Sequence, residues 1–323
     1  MPLAFLAVLL PTLFWDRPVE TADTLHKAGI ERLYVPAGRE QAWRKQGFAA
    51  SSFDRERAAQ MVAPKVEYRM DVASATRVPW VDANGWRFER QPGRSFFCAA
   101  PTGSAALAAA EAFAYAADAA IRAAPEDVTA FAHMLRFLGE IDRPRLPVRA
   151  NIGVIDDGSD TMSEVLNLLA RHNLLFHVIP VSDSRYDLNI RNVPEAADPY
   201  EFAMKVRRDL TDEKRLVRVF GSNVVLVRLT GDGSQARVHL LNYGTATVKG
   251  LRARVLGSYP QGKLAAFEHP GAALADYSVA DGATEFTIQE LGAYAVVDLV
   301  GRTSRSARVL QNPPRAQAIL TPR

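Results

Sequence analysis

The chain has 323 residues, 48% hydrophobic, 9% aromatic and 23% charged, a globular composition with room for two or three cored domains, which excludes a peptide, a low-complexity polymer and a membrane bundle. Lys and Arg total 39 against 36 Asp and Glu, yet residues 301–323 hold five Arg and no acid, leaving 34 basic and 36 acidic side chains in residues 1–300. The basic excess belongs to that tail, and the rest of the chain lacks the Lys/Arg stripe with interleaved aromatics that a nucleic-acid surface requires. The one cysteine, Cys98, excludes an intramolecular disulfide and a Cys-rich zinc site.

Residues 2–14, PLAFLAVLLPTLF, are too short for stable membrane insertion, which takes about 20 apolar residues. They fit a secretory signal, although a basic n-region and a small-x-small cleavage site before Trp15 are missing, and equally a first parallel strand buried on both faces. The first reading makes the protein secreted or periplasmic, the second cytoplasmic. VETADTLHKAG then reads as helix, ERLYVP as strand, REQAWRKQG and DRERAAQMV as helices, with Gly29 and Gly47 closing two of them; this alternation indicates α/β. KVEYRMDV is a strand. Asn84-Gly85, between Trp80/Val81 and Trp86/Phe88, signals a hairpin. SFFCAAP is a further strand, Ser104 to Ala124 an alanine-rich helix, and Glu126 to Leu138 a helix whose Val128, Phe131, Leu135 and Leu138 share one face.

Asp142–Arg149, DRPRLPVR, is a Pro/Arg linker. Beyond it, NIGVIDD, TMSEVLNLLARHN and LLFHVIP form a β-α-β unit, its helix opened by a Thr161/Glu164 capping box, and Ile152–Ile155 and Phe176–Ile179 are expected as neighbouring parallel strands. From Arg215 to Val300 the period changes to two, and six short strands separated by turns predict an antiparallel β-sandwich. The fold class is thus α/β plus all-β, divided as an N-terminal α/β module over 1–147, a β-α-β module over 148–212, a β-sandwich over 213–300 and a flexible basic tail over 301–323.

The run NIGVIDDGSDTMSEVLNLLARHNLLFHVIP, together with RLVRVFGSNVVLVRLTGDGSQARVHLLNYG and GAYAVVDL, resembles bacterial multidomain proteins built like glycoside hydrolases. In those proteins an α/β barrel or barrel remnant precedes a flavodoxin-like module of the class I glutamine amidotransferase type and a C-terminal sandwich, a plan shared by β-galactosidases with a trimerisation domain. The likeness covers about half the chain and is architectural. A complete barrel takes about 250 residues, so it implies a truncated, barrel-like N-terminal module.

Amidotransferase chemistry needs a cysteine on a sharp strand-to-helix turn. Cys98 lies inside an apolar strand outside that module and is read as a buried structural thiol. Glycoside hydrolysis needs two carboxyl groups across a sugar-sized gap, with aromatic platforms for the sugar's apolar face. Asp16 beside Trp15, Glu67 and Asp71 in the KVEYRMDV strand, and Asp82 between Trp80 and Trp86 combine acids with three of the four Trp. Asp82, Asp71 and Asp16 are therefore the candidate catalytic residues and Trp15, Trp80 and Trp86 the candidate substrate platforms. The bland alternative is that the two later Trp pack a hairpin whose turn Asp82 caps. Asp156-Asp157-Gly158 fits a solvated turn at a helix start better than a Mg²⁺ site, and the six His show no zinc spacing. The nucleotide fingerprints GxGxxG and GxxxxGK[ST] are missing, as is GxSxG.

No cofactor or metal is expected. The expected partner is a glycan or small sugar, with self-association left open. Two functions stand at this stage: a glycoside-hydrolase-like protein acting on or binding a glycan through its N-terminal module, and a non-catalytic scaffold or glycan-binding protein.

Overall fold

The computed structural model describes residues 10–67, 79–141, 146–191 and 198–301, and the backbone of 318–320. The chain divides into two compact units, Met1–Pro144 and Arg145–Arg323.

The first unit is built on short parallel strands: β1 (Thr12–Phe14), β2 (Arg32–Val35), β3 (Ala49–Ser52) and β4 (Ala59–Gln60), then, past the antiparallel ribbon of β5 (Lys65–Glu67) and β6 (Trp80–Asp82), β7 (Ser95–Ala99) and β8 (Asp118–Arg122). Their order is β3-β2-β1-β8-β7-β4. Each parallel strand pairs with its predecessor except β4, which does not pair with β3, and β8 returns to β1. One face of the sheet carries Phe14, Phe97 and Ala120, with Tyr34 and Phe53 packed against them. The helices are α1 (Ala22–Ala28), α2 (Glu40–Lys45), α3 (Gly85–Arg90), α4 (Ala105–Ala114) and α5 (Val128–Glu140), whose Leu25, Trp43, Phe131 and Met134 are fully buried. Gly29 and Gly47 take the positive φ values of 79° and 91° that end the first two helices, as their sequence positions predict.

Three readings of this unit need correction. The alanine-rich segment 104–124 is not one helix. Ala116 turns left-handed (φ 52°), and the Ala117 N–H closes α4 onto the Ala112 carbonyl; Asp118–Arg122 then enters the sheet between β1 and β7. Alanine suits either state, and a buried slot that accepts the small Ala119 and Ala120 decides for strand. DRERAAQMV is not a helix either. The Asp54 carboxylate accepts the backbone N–H groups of Glu56 and Arg57, a local turn that competes with helix, and Ala59–Gln60 pairs with Phe96–Phe97. Third, Asn84-Gly85 is not a hairpin turn: Trp80–Asp82 pairs with Lys65–Glu67, and Gly85 opens α3. The missing Cβ leaves room for the Tyr115 ring, which any larger residue there would have to displace. The first described strand follows Pro11; most of the apolar 2–10 run, and the YRMDV end of the predicted strand, lie outside the described residues.

In the second unit, β9 (Ile152–Val154), α6 (Asp160–Arg171) and β10 (Phe176–Val178) form the predicted parallel β-α-β, with Ile152 opposite Phe176. It is completed by β11 (Leu188–Ile190) and by Ala318–Leu320, which forms a strand inside the segment expected to be a flexible tail. Ser159, not Thr161, caps α6, accepting the Met162 N–H at 3.1 Å.

After α7 (Pro199–Lys214) come eight antiparallel strands: β12 (Val217–Phe220), β13 (Val225–Gly231), β14 (Gln235–Asn242), β15 (Val248–Leu256), β16 (Gln261–Ala266), β17 (Leu274–Ala280), β18 (Ala283–Leu291) and β19 (Tyr294–Val300). They make two four-stranded sheets, β12-β15-β18-β17 and β13-β14-β19-β16. Val217, Leu251 and Phe286 of the first sheet and Val227, Leu240 and Val297 of the second belong to one buried cluster, because the alternation turns every second side chain inward.

Candidate functional site

Parallel strands bring their carboxyl ends to one edge of a sheet, and that edge is where open α/β sheets and barrels hold ligands. Here the loops leaving β1, β2 and β3 surround a cleft of about 450 Å³ lined by Phe14, Asp16, Pro36, Arg39, Phe53, Asp54, Arg55 and Glu56, a volume that suits a small ligand.

Asp16 follows β1. Its carboxylate pairs with Arg122 at the end of β8, 3.2 Å away, and its backbone carbonyl accepts from Arg39 Nη1 at 2.9 Å, so the end of β8 and the segment before α2 fix its position. Phe53 follows β3 and is half-buried. Its ring lies 6.2 Å from Phe14, edge to face, and 5.0 Å from Tyr34. Asp54 is occupied by its own turn and by Arg57, 3.3 Å away. Glu56 is exposed, and its carboxylate has no hydrogen bond or ion pair among the described residues. The cleft thus combines one oriented carboxylate, one free carboxylate, an arginine and an aromatic wall.

Of the described residues singled out in the sequence, Asp16 borders this cleft and Trp15, Trp80, Asp82 and Trp86 do not. Trp15 is 1% exposed, and its Nε1 donates to Thr21 Oγ1 at 2.9 Å. Trp86 is also buried, with the Arg87 guanidinium 4.2 Å above its ring. Neither offers a sugar an open platform. Trp80 and Asp82 sit together on the β5–β6 ribbon, where Trp80 Nε1 donates to Asp82 Oδ1 at 2.9 Å and Lys65 pairs with both Asp82 and Glu67. Asp71 lies outside the described residues. Sequence reasoning missed Phe53, Asp54 and Glu56 because their segment read as the start of a helix; the available signal was their position immediately after a strand in an α/β unit.

Cys98 is fully buried, and burial, with the Glu111 carboxylate adding, pushes its thiol up to about 12, which leaves no thiolate for nucleophilic attack. Asp156 and Asp157 accept the N–H groups of Gly158 and Ser159 and hold the turn into α6. Among the described residues no group of three or more His, Cys, Asp or Glu gathers as a metal site. Among them too, no helix is long and apolar enough to cross a membrane.

No protein-family model and no curated protein sequence matches the chain. Solved structures do. The α-L-fucosidase isoenzyme 2 from Paenibacillus thiaminolyticus superposes with a TM-score of 0.50 at 9% identity, over 84% of this chain and 68% of that one. A β-galactosidase from Bacillus circulans sp. alkalophilus is similar at a TM-score of 0.41 and 6% identity, over 83% of this chain and 63% of that one, too low to carry an argument. The chain thus spans about two thirds of the length of both. At such identity the first likeness speaks to architecture: a parallel-sheet α/β unit followed by antiparallel sheets is a glycoside-hydrolase-like fold.

Proposed function

We propose that the chain is a carbohydrate-active, glycoside-hydrolase-like protein that acts on or binds a glycan or small sugar through the cleft of its first unit. The observation that carries this reading is the convergence of Asp16, Glu56 and the half-buried Phe53 ring at the carboxyl edge of the parallel sheet. Sugars need acceptors for their hydroxyls and a flat apolar surface for their C–H faces. Hydrolysis needs two carboxyl groups flanking the glycosidic oxygen. Asp16, held by Arg122, and Glu56, without a competing partner among the described residues, are the pair for that task. Asp82 and Trp80 on the β5–β6 ribbon, and Asp71, which lies outside the described residues, are secondary candidates for further sugar contacts.

The finer architecture belongs to this reading. A strand order in which β8 returns to β1 is that of a ring opened between β3 and β4, so we read residues 1–147 as a partial barrel. Residues 148–212 are read as the flavodoxin-like module, 213–300 as the sandwich and 301–323 as the tail. A non-catalytic glycan-binding protein or scaffold is the alternative, favoured by the engagement of Asp54 in its own turn and by the burial of both Trp15 and Trp86.

The test is hydrolysis of p-nitrophenyl glycosides, α-L-fucoside and β-D-galactoside included, together with binding to a glycan array, by the wild type and by Asp16→Asn, Glu56→Gln and Phe53→Ala. Turnover lost in both acid variants establishes the enzyme. Binding without turnover, weakened in Phe53→Ala, establishes the glycan-binding protein. Neither turnover nor binding overturns the glycan reading and leaves the scaffold.

A further inference from the structure

Five charged side chains line the cleft of the first unit, Asp16, Arg39, Asp54, Arg55 and Glu56, and they are not equally committed. The Asp16 carboxylate is matched by Arg122 at 3.2 Å, and that of Asp54 by the Glu56 and Arg57 N–H groups of its own turn and by the Arg57 guanidinium at 3.3 Å. Neither Arg122 nor Arg57 lines the cleft. The two arginines that do have no such match: among the described residues neither Arg39 nor Arg55 forms an ion pair, and the Arg55 guanidinium makes no hydrogen bond. Two guanidiniums thus stand against the one uncommitted carboxylate, that of Glu56, and the cleft is left with an excess of positive charge.

Arg39 is a positioned cation. Its N–H bonds to Pro36 O at 3.2 Å, closing the turn that leads from β2 into α2, and its Nη1 donates to the Asp16 carbonyl at 2.9 Å. A guanidinium carries five N–H groups in a fixed fork; one is spent on Asp16, and the rest of the fork is available beside that residue. Arg55 stands on the segment leaving β3, next in sequence to Asp54 and Glu56 but paired with neither. A neutral sugar leaves the excess charge unanswered, because hydroxyls carry none. An oxyanion matches the planar fork bidentately and offsets the repulsion between the two cations, while the half-buried Phe53 ring on the same segment takes the C–H face of the sugar that bears it.

We infer, on the glycan reading of this cleft, that its sugar is an anionic one, a uronic acid or a sulfate ester, whose carboxylate or sulfate is held by Arg39 and Arg55. Because Arg39 is bonded to Asp16 itself, the anionic group sits on the sugar that Asp16 addresses and not on a distant unit of the glycan.

The full chain is applied to an array of matched glycans, each neutral structure printed beside its uronate and its O-sulfated counterpart, at constant ionic strength. An anionic member is expected to bind about tenfold or more tightly than its neutral counterpart, and the better of the two anionic arms identifies carboxylate or sulfate as the group recognised. Arg39→Gln/Arg55→Gln abolishes that preference. Arg39→Lys/Arg55→Lys keeps part of it, since the charge remains without the fork. Arg305→Gln/Arg308→Gln, in the basic tail, leaves it unchanged, which separates the cleft from general attraction of polyanions to the tail; a thermal melt confirms that each variant is folded. Neutral glycans bound as tightly as anionic ones overturn the inference while the glycan reading stands. A preference that survives in folded Arg39→Gln/Arg55→Gln, or is lost with the tail arginines, does the same. Binding of no glycan at all overturns both.

Discussion

The parallel sheet of the first unit and the sandwich of the second form their strands in opposite ways. In the second, strands β13 to β19 run for six to nine residues and pair antiparallel, so cross-strand contacts repeat along each ladder. Their charges are consumed by structure: Arg237 grips Asp298 through two bonds of 2.6 and 2.8 Å, and Asp232 is held down to about 2 by Ser234 and Gln235 at the β13–β14 turn. In the first unit, parallel strands of two to five residues end in loops whose charges gather around a cleft, and Glu56 is left without a partner among the described residues. Long ladders spend their polar groups on the fold, and short parallel strands leave them at one edge, where chemistry is possible.

Matched truncations test whether the first unit's core is as consolidated as the second's. Trp15→Ala and Phe286→Ala each remove a ring that is at most 1% exposed, and each is expected to cost about 3–5 kcal/mol in chemical denaturation. A Trp15→Ala variant of unchanged stability but lost sugar binding would return that residue to the site.

A smaller effect is expected at the polar centre of the first unit. Asn84 is fully buried; it exchanges two hydrogen bonds of 2.9 Å with the Val62 backbone and donates from both its backbone and its side chain to Glu111, itself 0% exposed. Asn84→Ala takes the side-chain donor from a buried carboxylate and the acceptor from the part-buried Val62 N–H, so a loss of about 2–4 kcal/mol is expected in the same denaturation measurement. A loss below about 1 kcal/mol would mean that neighbouring groups re-satisfy Glu111 and that the first unit is the more plastic of the two.

These contrasts explain what could be read in advance. VVLVRL and RVHLL announce β13 and β14 through their length and their run of β-branched and apolar residues, both strands being buried on both faces. DAAIR, buried on both faces, offers no alternation, and its alanines extend the preceding helical pattern; only pairing with β1 and β7 makes it a strand. The site follows the same division. Asp16 was legible because it stands beside a tryptophan, although that tryptophan proved to be core. Glu56 was not, because its place in the cleft depends on which strands are neighbours, and no local pattern encodes that.

Sensitivity to pH is expected to come from the second unit. Burial, followed by Arg171, Arg207 and Arg215, lowers the His172 pKa to about 4, and burial lowers that of His239 well below the ordinary range. The unfolded chain takes up protons near pH 6.5 while folded His172 refuses one until about 4, so stability is full above roughly 6.5 and is lost as pH falls toward 4. Between pH 7 and 5 His172 alone accounts for about 1–2 kcal/mol. Denaturation curves at the two pH values should differ less for His172→Gln than for the wild type. An equal difference would assign the acid sensitivity elsewhere.

The smallest effect separates a sequence motif from the geometry that replaced it. Thr161 and Glu164 spell a capping box, yet Ser159 is the residue with extended backbone (φ −71°, ψ 160°) whose hydroxyl accepts the Met162 N–H, while Asp160 and Thr161 already belong to the first turn. The reason lies two residues earlier: the Asp157 carboxylate takes the Ser159 N–H at 2.9 Å and the Asp156 carboxylate takes that of Gly158 at 3.0 Å, so the chain is already turned when it reaches Ser159. A cap satisfies one orphan donor of the helix start, and Ser→Ala at such a position costs about 1 kcal/mol. Ser159→Ala should therefore lower stability by about that amount, and Thr161→Ala by no more than a few tenths of a kcal/mol. The reverse order in paired denaturation curves would restore the capping box and move the start of α6 two residues along the chain.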